Sequence, residues 1–245
     1  MRAVIDPRST VGQLVAERPA RSRVFEALRI DYCCGGKQPL EEACRQRNLV
    51  TETVVDLLLA MEAREGDAEG ADDPGGMTLT ELADHIEQTH HAELRIELPR
   101  LGRLVEKVRD AHGETEPRLH RVFEAFNALR DELSSHMVKE ERVLFPMIRR
   151  MELAIEPQGQ HCGSIANPIR QMEAEHEDAG AALEVLREAT DGFTPPEGAC
   201  NSWRAMLDGL AWLERDMHRH VHKENNILFP KALQLESAAN AGRST

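Results

Sequence analysis

The sequence contains one short motif twice, and each copy places a histidine four residues before a glutamate. The first copy, H-M-V-K-E-E-R-V-L-F-P, occupies residues 136–146, and the second, H-V-H-K-E-N-N-I-L-F-P, occupies residues 220–230. The two pairs are His136 with Glu140 and His220 with Glu224. On a helix, positions four apart project from the same face on successive turns. Each copy therefore predicts a helix face that offers one imidazole and one carboxylate to a metal ion.

Both pairs lie on the apolar stripe of their helices rather than on the polar face. Apolar residues recur around them at alternating steps of three and four, which is the spacing of the inward seam of a helix bundle. The stripes consist of Leu119, Val122, Phe126, Leu129, Leu133, Val143 and Met147 in the first copy, and of Trp203, Met206, Leu210, Leu213, Met217 and Ile227 in the second. Because a buried carboxylate is costly unless it is neutralised, this placement predicts a bound cation.

Two further helices each offer an inward histidine. His176 continues the apolar stripe of its own helix. On the remaining helix, His90 and His91 are alternatives, since the angular position slightly favours His90 whereas the internal repeat favours His91. The repeat does so because His91 precedes Leu98 by the same seven residues that separate His176 from Leu183.

The resulting constellation has four imidazoles and two carboxylates related by an internal repeat. Its members are His91 (with His90 as the alternative), His136, Glu140, His176, His220 and Glu224. This set suits two metal ions with bridging carboxylates. Its mixed nitrogen and oxygen donors favour iron or manganese, with zinc as an alternative, over calcium or magnesium. A single buried His-Glu pair is usually a satisfied hydrogen bond in a core, but six such residues on four seams favour a metal site.

Several polar residues next to these candidates have two interpretations each. Glu132, Asp216 and Glu175 lie close to the histidines along the chain, so they are candidates for hydrogen-bonding to the ligands or for carrying protons. A solvated helix face is the alternative for all three. His218 and His222 flank the second pair by two positions, point away from the seam, and are expected on the surface.

Four long helices must carry the constellation. We expect them over residues 78–112, with a kink at Pro99, and over residues 117–152, 168–190 and 200–235. The first and second helices together repeat as the third and fourth. Short connections between successive helices predict an all-α protein with an up-down-up-down four-helix bundle.

A small helical domain precedes the bundle and carries a loop with two adjacent thiols. The loop is D-Y-C-C-G-G-K-Q, residues 31–38, in which Cys33 and Cys34 stand beside two glycines. An acidic, Gly-rich stretch that follows this domain is typical of a flexible linker. The expected organisation is a small helical domain at 1–65, a linker at 66–76, the bundle at 77–236 and a flexible tail at 237–245.

Composition and charge exclude several classes of protein. The 245 residues carry a formal charge of −13, which disfavours general nucleic-acid binding and attachment to anionic membranes. No apolar run approaches the roughly 18 residues of a membrane span, and the N-terminus lacks a secretory signal, so we expect a cytoplasmic protein. The five cysteines show no C-x-x-C spacing and predict neither a disulfide framework nor a four-thiolate zinc site.

Taken together, these motifs resemble the iron-sulfur cluster repair di-iron proteins, also called the repair of iron centres family. The matching segments are D-Y-C-C-G-G-K-Q at 31–38, E-L-S-S-H-M at 132–137, K-E-E at 139–141, L-F-P-M-I at 144–148, E-A-E-H at 173–176 and E-N-N-I-L-F-P at 224–230. The resemblance implies a hemerythrin-like bundle that holds two iron ions with oxo or hydroxo bridges. It places the ligands on the six residues named above, with His91 rather than His90.

The resemblance also implies a function. Proteins of this family restore iron-sulfur clusters damaged by nitric oxide or oxidative stress, by supplying iron, by handling NO at the di-iron site, or both. The expected partners are damaged iron-sulfur proteins and the small ligands NO or O₂, for a monomer or a dimer, and turnover as an enzyme stays open. Cys33 and Cys34 in the thiol loop, with Glu132 and Glu175 beside the metal ligands, are the candidate reactive residues.

Two alternative functions follow from the same metal site. A hemerythrin-like protein that binds or senses O₂ or NO without turnover would need the six ligands but not the thiol loop. A ferritin-like oxidase would bring more carboxylates to the metal than the two found here. The thiol loop therefore favours repair.

Overall fold

The computed structural model describes residues 5–65, 74–153 and 164–243, and every regular element among them is helical. This confirms the all-α prediction. Most of the expected linker, residues 66–73, lies outside the described residues, as does Cys162. None of the described helices combines the length and the apolar character that crossing a membrane requires.

By their internal contacts the residues form two compact units. The first unit consists of Met1–Leu82 together with His218–Thr245, and the second unit is Ala83–Met217. The domain boundaries drawn from the sequence, which divide the chain between residues 65 and 77, stay a prediction.

The N-terminal part of the first unit is a cluster of short helices. They are α1 (Val11–Glu17), α2 (Ser22–Leu28), α3 (Leu40–Gln46) and α4 (Thr51–Glu65). Thr10 caps α1, because its hydroxyl accepts a hydrogen bond from the backbone N–H of Gln13 at 3.2 Å while the Gln13 side chain accepts one from the Thr10 backbone N–H. Phe25, Tyr32 and Leu58 are buried in the core of this cluster.

The remaining helices, together with the short π-helical segments between them, contain the candidate metal ligands. They are α5 (Leu79–Ile86), α6 (Ala92–His112), α7 (Arg118–Lys139), α8 (Phe145–Glu152), α9 (Ala166–Ala189), α10 (Asn201–Lys223) and α11 (Phe229–Arg243). The last helix continues to Arg243 and so extends beyond the expected end at residue 235. Pro99 lies inside α6, which continues past it.

In the second unit, α7 packs antiparallel to α9. His136, near the end of α7, lies against His176 in the middle of α9, and Arg121, near the start of α7, reaches Glu188 near the end of α9 at 3.2 Å. Later residues of α7 therefore contact earlier residues of α9. This antiparallel order follows from the connection between successive helices.

The α6 and α10 helices complete the bundle of the second unit. A Cβ atom on Gly209 of α10 would lie 2.3 Å from Leu101 Cδ2 of α6, so glycine allows the two backbones to approach closely. At the ends of this pair, the rings of His112 and Trp203 lie 4.9 Å apart. The Arg187–Glu214 ion pair joins α9 to α10.

Three short π-helical segments interrupt the helices at the candidate ligands. They are Glu87–His91, Glu140–Leu144 and Glu224–Leu228. The second and third are each followed by a proline, Pro146 and Pro230. A proline has no N–H to donate and its ring crowds the carbonyl one turn back, and the wider turn of a π segment relieves both problems.

Candidate metal centre

The second unit brings three of the expected ligands into direct contact. His136 Nε2 lies 3.0 Å from His176 Nε2 and 3.2 Å from Glu140 Oε2. The ligand atoms of these residues lie within 4.8 Å of one another, and all three side chains are buried. The i, i+4 spacing within α7 and the antiparallel α9 helix together produce this convergence.

His91 joins the same carboxylate from the end of its π segment. Its Nε2 atom lies 3.4 Å from Glu140 Oε2, and the side chain is fully buried. His90 points elsewhere, because its Nδ1 atom forms a 2.7 Å hydrogen bond with Asp216 Oδ1. Of the two alternatives considered from the sequence, His91 is therefore the one that the structure brings to Glu140.

Carboxylates on the outer side orient two of the imidazole rings. His91 Nδ1 lies 2.8 Å from Glu141 Oε1, and His136 Nδ1 lies 2.8 Å from Glu175 Oε2. A carboxylate that accepts the Nδ1 proton leaves the Nε2 lone pair available to a metal ion. Of the two acceptors, Glu175 was predicted from the sequence and Glu141 was not. The K-E-E motif, which contains Glu141 next to Glu140, was the sequence feature that indicated it.

Both outer carboxylates are held in their ionised form. Although burial raises it, hydrogen bonds from Lys139, Gln171 and His136 lower the pKa of Glu175 to about 2. The pKa of Glu141 is also lowered, because Arg95 and His91 outweigh the effect of burial. Each carboxylate is therefore a strong acceptor for the imidazole that it contacts.

The donor set of the second unit fits a bound cation. Glu140 is fully buried, and a buried carboxylate is costly unless a positive charge compensates it. The Nε2 atoms of His91 and His136 both face it, while their Nδ1 atoms are engaged outward. Two nitrogens bound at right angles to one ion, each at about 2.1 Å, would lie about 3.0 Å apart. The measured separation between His136 and His176 matches this value.

The second copy of the motif forms its own pair in the first unit. His220 Nε2 lies 3.0 Å from Glu224 Oε1, and both side chains are fully buried. This geometry repeats that of His136 and Glu140, with the glutamate again at the start of a π segment. Two buried His-Glu pairs of the same geometry thus occur 84 residues apart.

The two acidic residues expected one turn before the histidines occupy different environments. Glu132 is exposed, and its proposed role stays a prediction. Asp216 is largely buried and pairs with His90. In α7, the outward nitrogen of His136 is bonded to Glu175, so a residue of the neighbouring helix takes the position that Glu132 was considered for.

The thiol loop lies in the first unit, and its two cysteines are not joined by a disulfide. Cys33 is buried and Cys34 is half-buried, with their sulfur atoms 4.0 Å apart. The neighbouring Cys34 thiol and burial hold the pKa of Cys33 well above its usual range. Asp31 shapes the loop by accepting hydrogen bonds from the backbone N–H groups of Cys33 and Gly35, at 2.9 and 2.8 Å.

Two side chains that follow His220 hold this loop in place. Asn226 Nδ2 donates to the carbonyl oxygens of Tyr32 and Cys33 at 3.2 and 3.0 Å. His222 Nδ1 lies 3.3 Å from the Tyr32 carbonyl oxygen, and burial lowers the pKa of this imidazole to about 4. The expectation that His222 is a surface residue was wrong, because it is buried with its ring centroid 5.4 Å from that of Tyr32, whereas His218 is half-buried.

Comparison with known proteins assigns both parts of the chain. Residues 81–232 match the hemerythrin HHE cation binding domain, and residues 7–62 match a domain of unknown function, DUF542. The fold and the buried cluster of histidines and glutamates therefore define a hemerythrin-type, cation-binding helical bundle.

Whole-chain relatives identify the family more closely. The iron-sulfur cluster repair protein YtfE of Pectobacterium carotovorum subsp. carotovorum is 39% identical over 228 residues, which cover 93% of this chain and 97% of the relative. The proteins of the same name from Pectobacterium atrosepticum and Yersinia pseudotuberculosis are each 38% identical with the same coverage. This chain belongs to the family of iron-sulfur cluster repair proteins.

Proposed function

We propose that this protein repairs iron-sulfur clusters damaged by nitric oxide or oxidants, and that it does so with a di-iron centre. The observation that carries the proposal is the buried cluster around Glu140, which lies inside the match to a cation binding domain. The relatives are named for cluster repair, which supports the activity.

Six residues would hold the two iron ions. They are His91, His136, Glu140, His176, His220 and Glu224. The internal repeat supports this set, because each copy of the motif supplies one buried imidazole and one buried carboxylate. Glu140 and Glu224 are the candidates for bridging two ions, since a carboxylate has two oxygen atoms. Bound iron would supply affinity for NO or O₂ and redox chemistry.

The side chains of the protein have separate tasks at such a centre. Glu141 and Glu175 fix the ring orientation of His91 and His136 by accepting their Nδ1 protons. The phenyl ring of Phe145 stacks on His91 with the ring centroids 5.8 Å apart, which shields that ring from water. Imidazole and carboxylate ligands bind iron less tightly than a set of thiolates, which suits a protein that gives iron up.

The thiol loop supports repair over simple gas binding. Cys33 and Cys34 are held in a defined position by Asp31 and Asn226, and a carrier of O₂ or NO has no evident use for two adjacent thiols. The residues matched to the second family model include this loop. We therefore assign the thiols to the repair reaction rather than to the binding of gas.

The first test measures iron in protein purified without oxygen. We expect about two irons per chain in the wild type and a clear loss of iron in Glu140→Ala and in Glu224→Ala. Glu124→Ala is the matched control, because this residue lies on the same helix as His136 but is exposed and has no assigned role at the site. Zinc or no metal in the wild type, unchanged in both ligand variants, would refute the di-iron centre.

A second test measures repair directly. An enzyme that depends on a [4Fe–4S] cluster is inactivated with NO and then incubated anaerobically with the iron-loaded protein and a thiol reductant. We expect activity to return with the wild type and not with Glu140→Ala. If Cys33→Ser and Cys34→Ser retain iron and bind NO but no longer restore activity, the repair assignment holds. Full repair by both cysteine variants would contradict the role of the thiols.

A further inference from the structure

The thiol loop contains a second group of metal-binding side chains, separate from the histidine and glutamate cluster. Asp31, Cys33 and Cys34 each offer a ligand atom, and these atoms lie within 4.8 Å of one another. The two sulfur atoms are 4.0 Å apart, and Cys33 Sγ lies 3.1 Å from Asp31 Oδ1. Two thiols and a carboxylate therefore point at one place.

The separation of the sulfur atoms suits a single ion. A tetrahedral ion with two thiolates at about 2.3 Å holds them about 3.8 Å apart, so the thiols of Cys33 and Cys34 need move by only about 0.2 Å. Asp31 Oδ1 accepts from the Cys33 backbone N–H and from the Cys33 thiol, and loss of the thiol proton on metal binding frees the lone pair that the thiol occupies. Sulfur and oxygen donors together select a borderline cation such as Fe²⁺ or Zn²⁺ and disfavour Mg²⁺ and Ca²⁺.

The loop is built to hold this arrangement. A Cβ atom on Gly35 would lie 3.0–3.1 Å from the Asp31 carbonyl and carboxylate oxygens, so glycine leaves room for the carboxylate to turn back over the loop. A Cβ atom on Gly36 would lie 2.1 Å from Asn226 Oδ1, so the second glycine lets Asn226 reach the loop backbone. Both glycines thus help to hold the thiols in place before an ion binds. This lowers the entropy cost of ordering the thiol side chains on binding.

Exposure distinguishes this cluster from a closed structural site. Cys33 is buried, Cys34 is half-buried and Asp31 is exposed, so the cluster opens to solvent on one side. Closed structural sites have four protein ligands, whereas sites with three leave a position for an exchangeable ligand. An ion held here could enter and leave without unfolding the loop.

We propose that Asp31, Cys33 and Cys34 form a mononuclear, exchangeable site for a thiophilic divalent cation such as Fe²⁺ or Zn²⁺. On binding, each thiol releases its proton to solvent. Two S–H bonds are thereby replaced by two metal–thiolate bonds, and no oxidation state changes. The site shares Cys33 and Cys34 with the proposed repair reaction, but its ligands are separate from the six residues assigned to the di-iron centre, so metal binding here can be tested apart from repair.

Cobalt(II) is the probe that tests this site. The full-length protein, reduced and kept without oxygen, is titrated with Co²⁺ while the near-ultraviolet charge-transfer absorption of cobalt–thiolate bonds is recorded. Histidine and glutamate ligands give no such band, so occupation of the other cluster does not interfere. We expect the thiolate band to saturate at about one cobalt ion bound through sulfur per chain.

Variants assign the band to individual residues. We expect its loss in Cys33→Ser and in Cys34→Ser and at least a tenfold weaker affinity in Asp31→Asn, with far-UV circular dichroism to show that each variant is folded. The matched controls Cys44→Ser, Cys162→Ser and Cys200→Ser should retain it. No thiolate band in the wild type, a band that survives Cys34→Ser, or a band that disappears in Cys200→Ser would overturn the proposal.

Discussion

Glu175 offers the sharpest test of how the bundle controls its metal ligands. Its Oε2 atom lies 2.8 Å from His136 Nδ1, and the carboxylate is ionised because Lys139 and Gln171 also donate to it. A hydrogen bond to a charged partner contributes about 1.5–3 kcal/mol, and a neutral one about 1 kcal/mol. Replacing Glu175 with alanine removes the whole contact, whereas glutamine retains a neutral acceptor.

These values predict a graded loss of metal affinity. Since 1.4 kcal/mol corresponds to a factor of ten, Glu175→Ala should weaken Fe²⁺ binding about 10- to 100-fold, and Glu175→Gln about fivefold. The assay is anaerobic competition for Fe²⁺ against a coloured chelator. Glu177→Gln is the matched control, because Glu177 flanks His176 on the other side but is exposed.

The order of the variants is the decisive result. If Glu175→Ala binds Fe²⁺ as tightly as the wild type and Glu177→Gln, the orientation of His136 by Glu175 contributes nothing to binding. A larger loss in Glu175→Gln than in Glu175→Ala would also refute the reasoning, because glutamine keeps the hydrogen-bond acceptor that alanine lacks.

Two further predictions concern glycines at close contacts. Gly209→Ala places a Cβ atom 2.3 Å from Leu101 Cδ2 and should destabilise the protein by about 1–3 kcal/mol, whereas Gly102→Ala, with no contact closer than 3.4 Å, should stabilise it by about 0.5–1 kcal/mol. Thermal unfolding followed by circular dichroism measures both, and equal effects would contradict the packing described. Gly36→Ala should lower the melting temperature by about 4–10 °C because it displaces Asn226, and the loss should shrink in a Gly36→Ala/Asn226→Ala double variant. Strictly additive effects would show that the two residues do not interact.

The sequence was sufficient to predict the seams of the bundle. The stripe around His136 and Glu140 recurs 84 residues later without any change of register, because both copies contain a π segment at the same position. A π segment that occurs at the same position in both copies leaves the spacing between corresponding residues unchanged. The helix order and the buried position of the four residues of these two pairs could therefore be deduced from periodicity alone.

The choice between His90 and His91 could not be made from periodicity, for a specific structural reason. Ile86 precedes Met172 by 86 residues, whereas His91 precedes His176 by 85. The π segment Glu87–His91 contains the extra residue, and α9 has no counterpart. A helical wheel drawn with a constant 3.6 residues per turn misplaces every position beyond such a segment, which explains the slight preference for His90 by angle.

The contacts of residues on the outer faces of the helices could not be predicted from the sequence. His222 and Asn226 lie off the seam, and nothing in the periodicity shows that their face contacts the Tyr32–Cys33 backbone of the thiol loop. From the sequence, a polar side chain on the outer face of a helix is expected to be solvated, whether it is exposed or packs against another segment. Only the folded chain distinguishes these cases.

The two copies of the repeated motif differ at positions outside their His-Glu pairs. Glu141 of the first copy corresponds to Asn225 of the second, and Arg142 corresponds to Asn226. In the first copy, Glu141 forms a hydrogen bond with His91. In the second copy, at the next position of the motif, Asn226 donates to the backbone of the thiol loop. The two copies are therefore not interchangeable. A chimera with two first copies would retain the His-Glu pair but lose the anchor of the thiol loop.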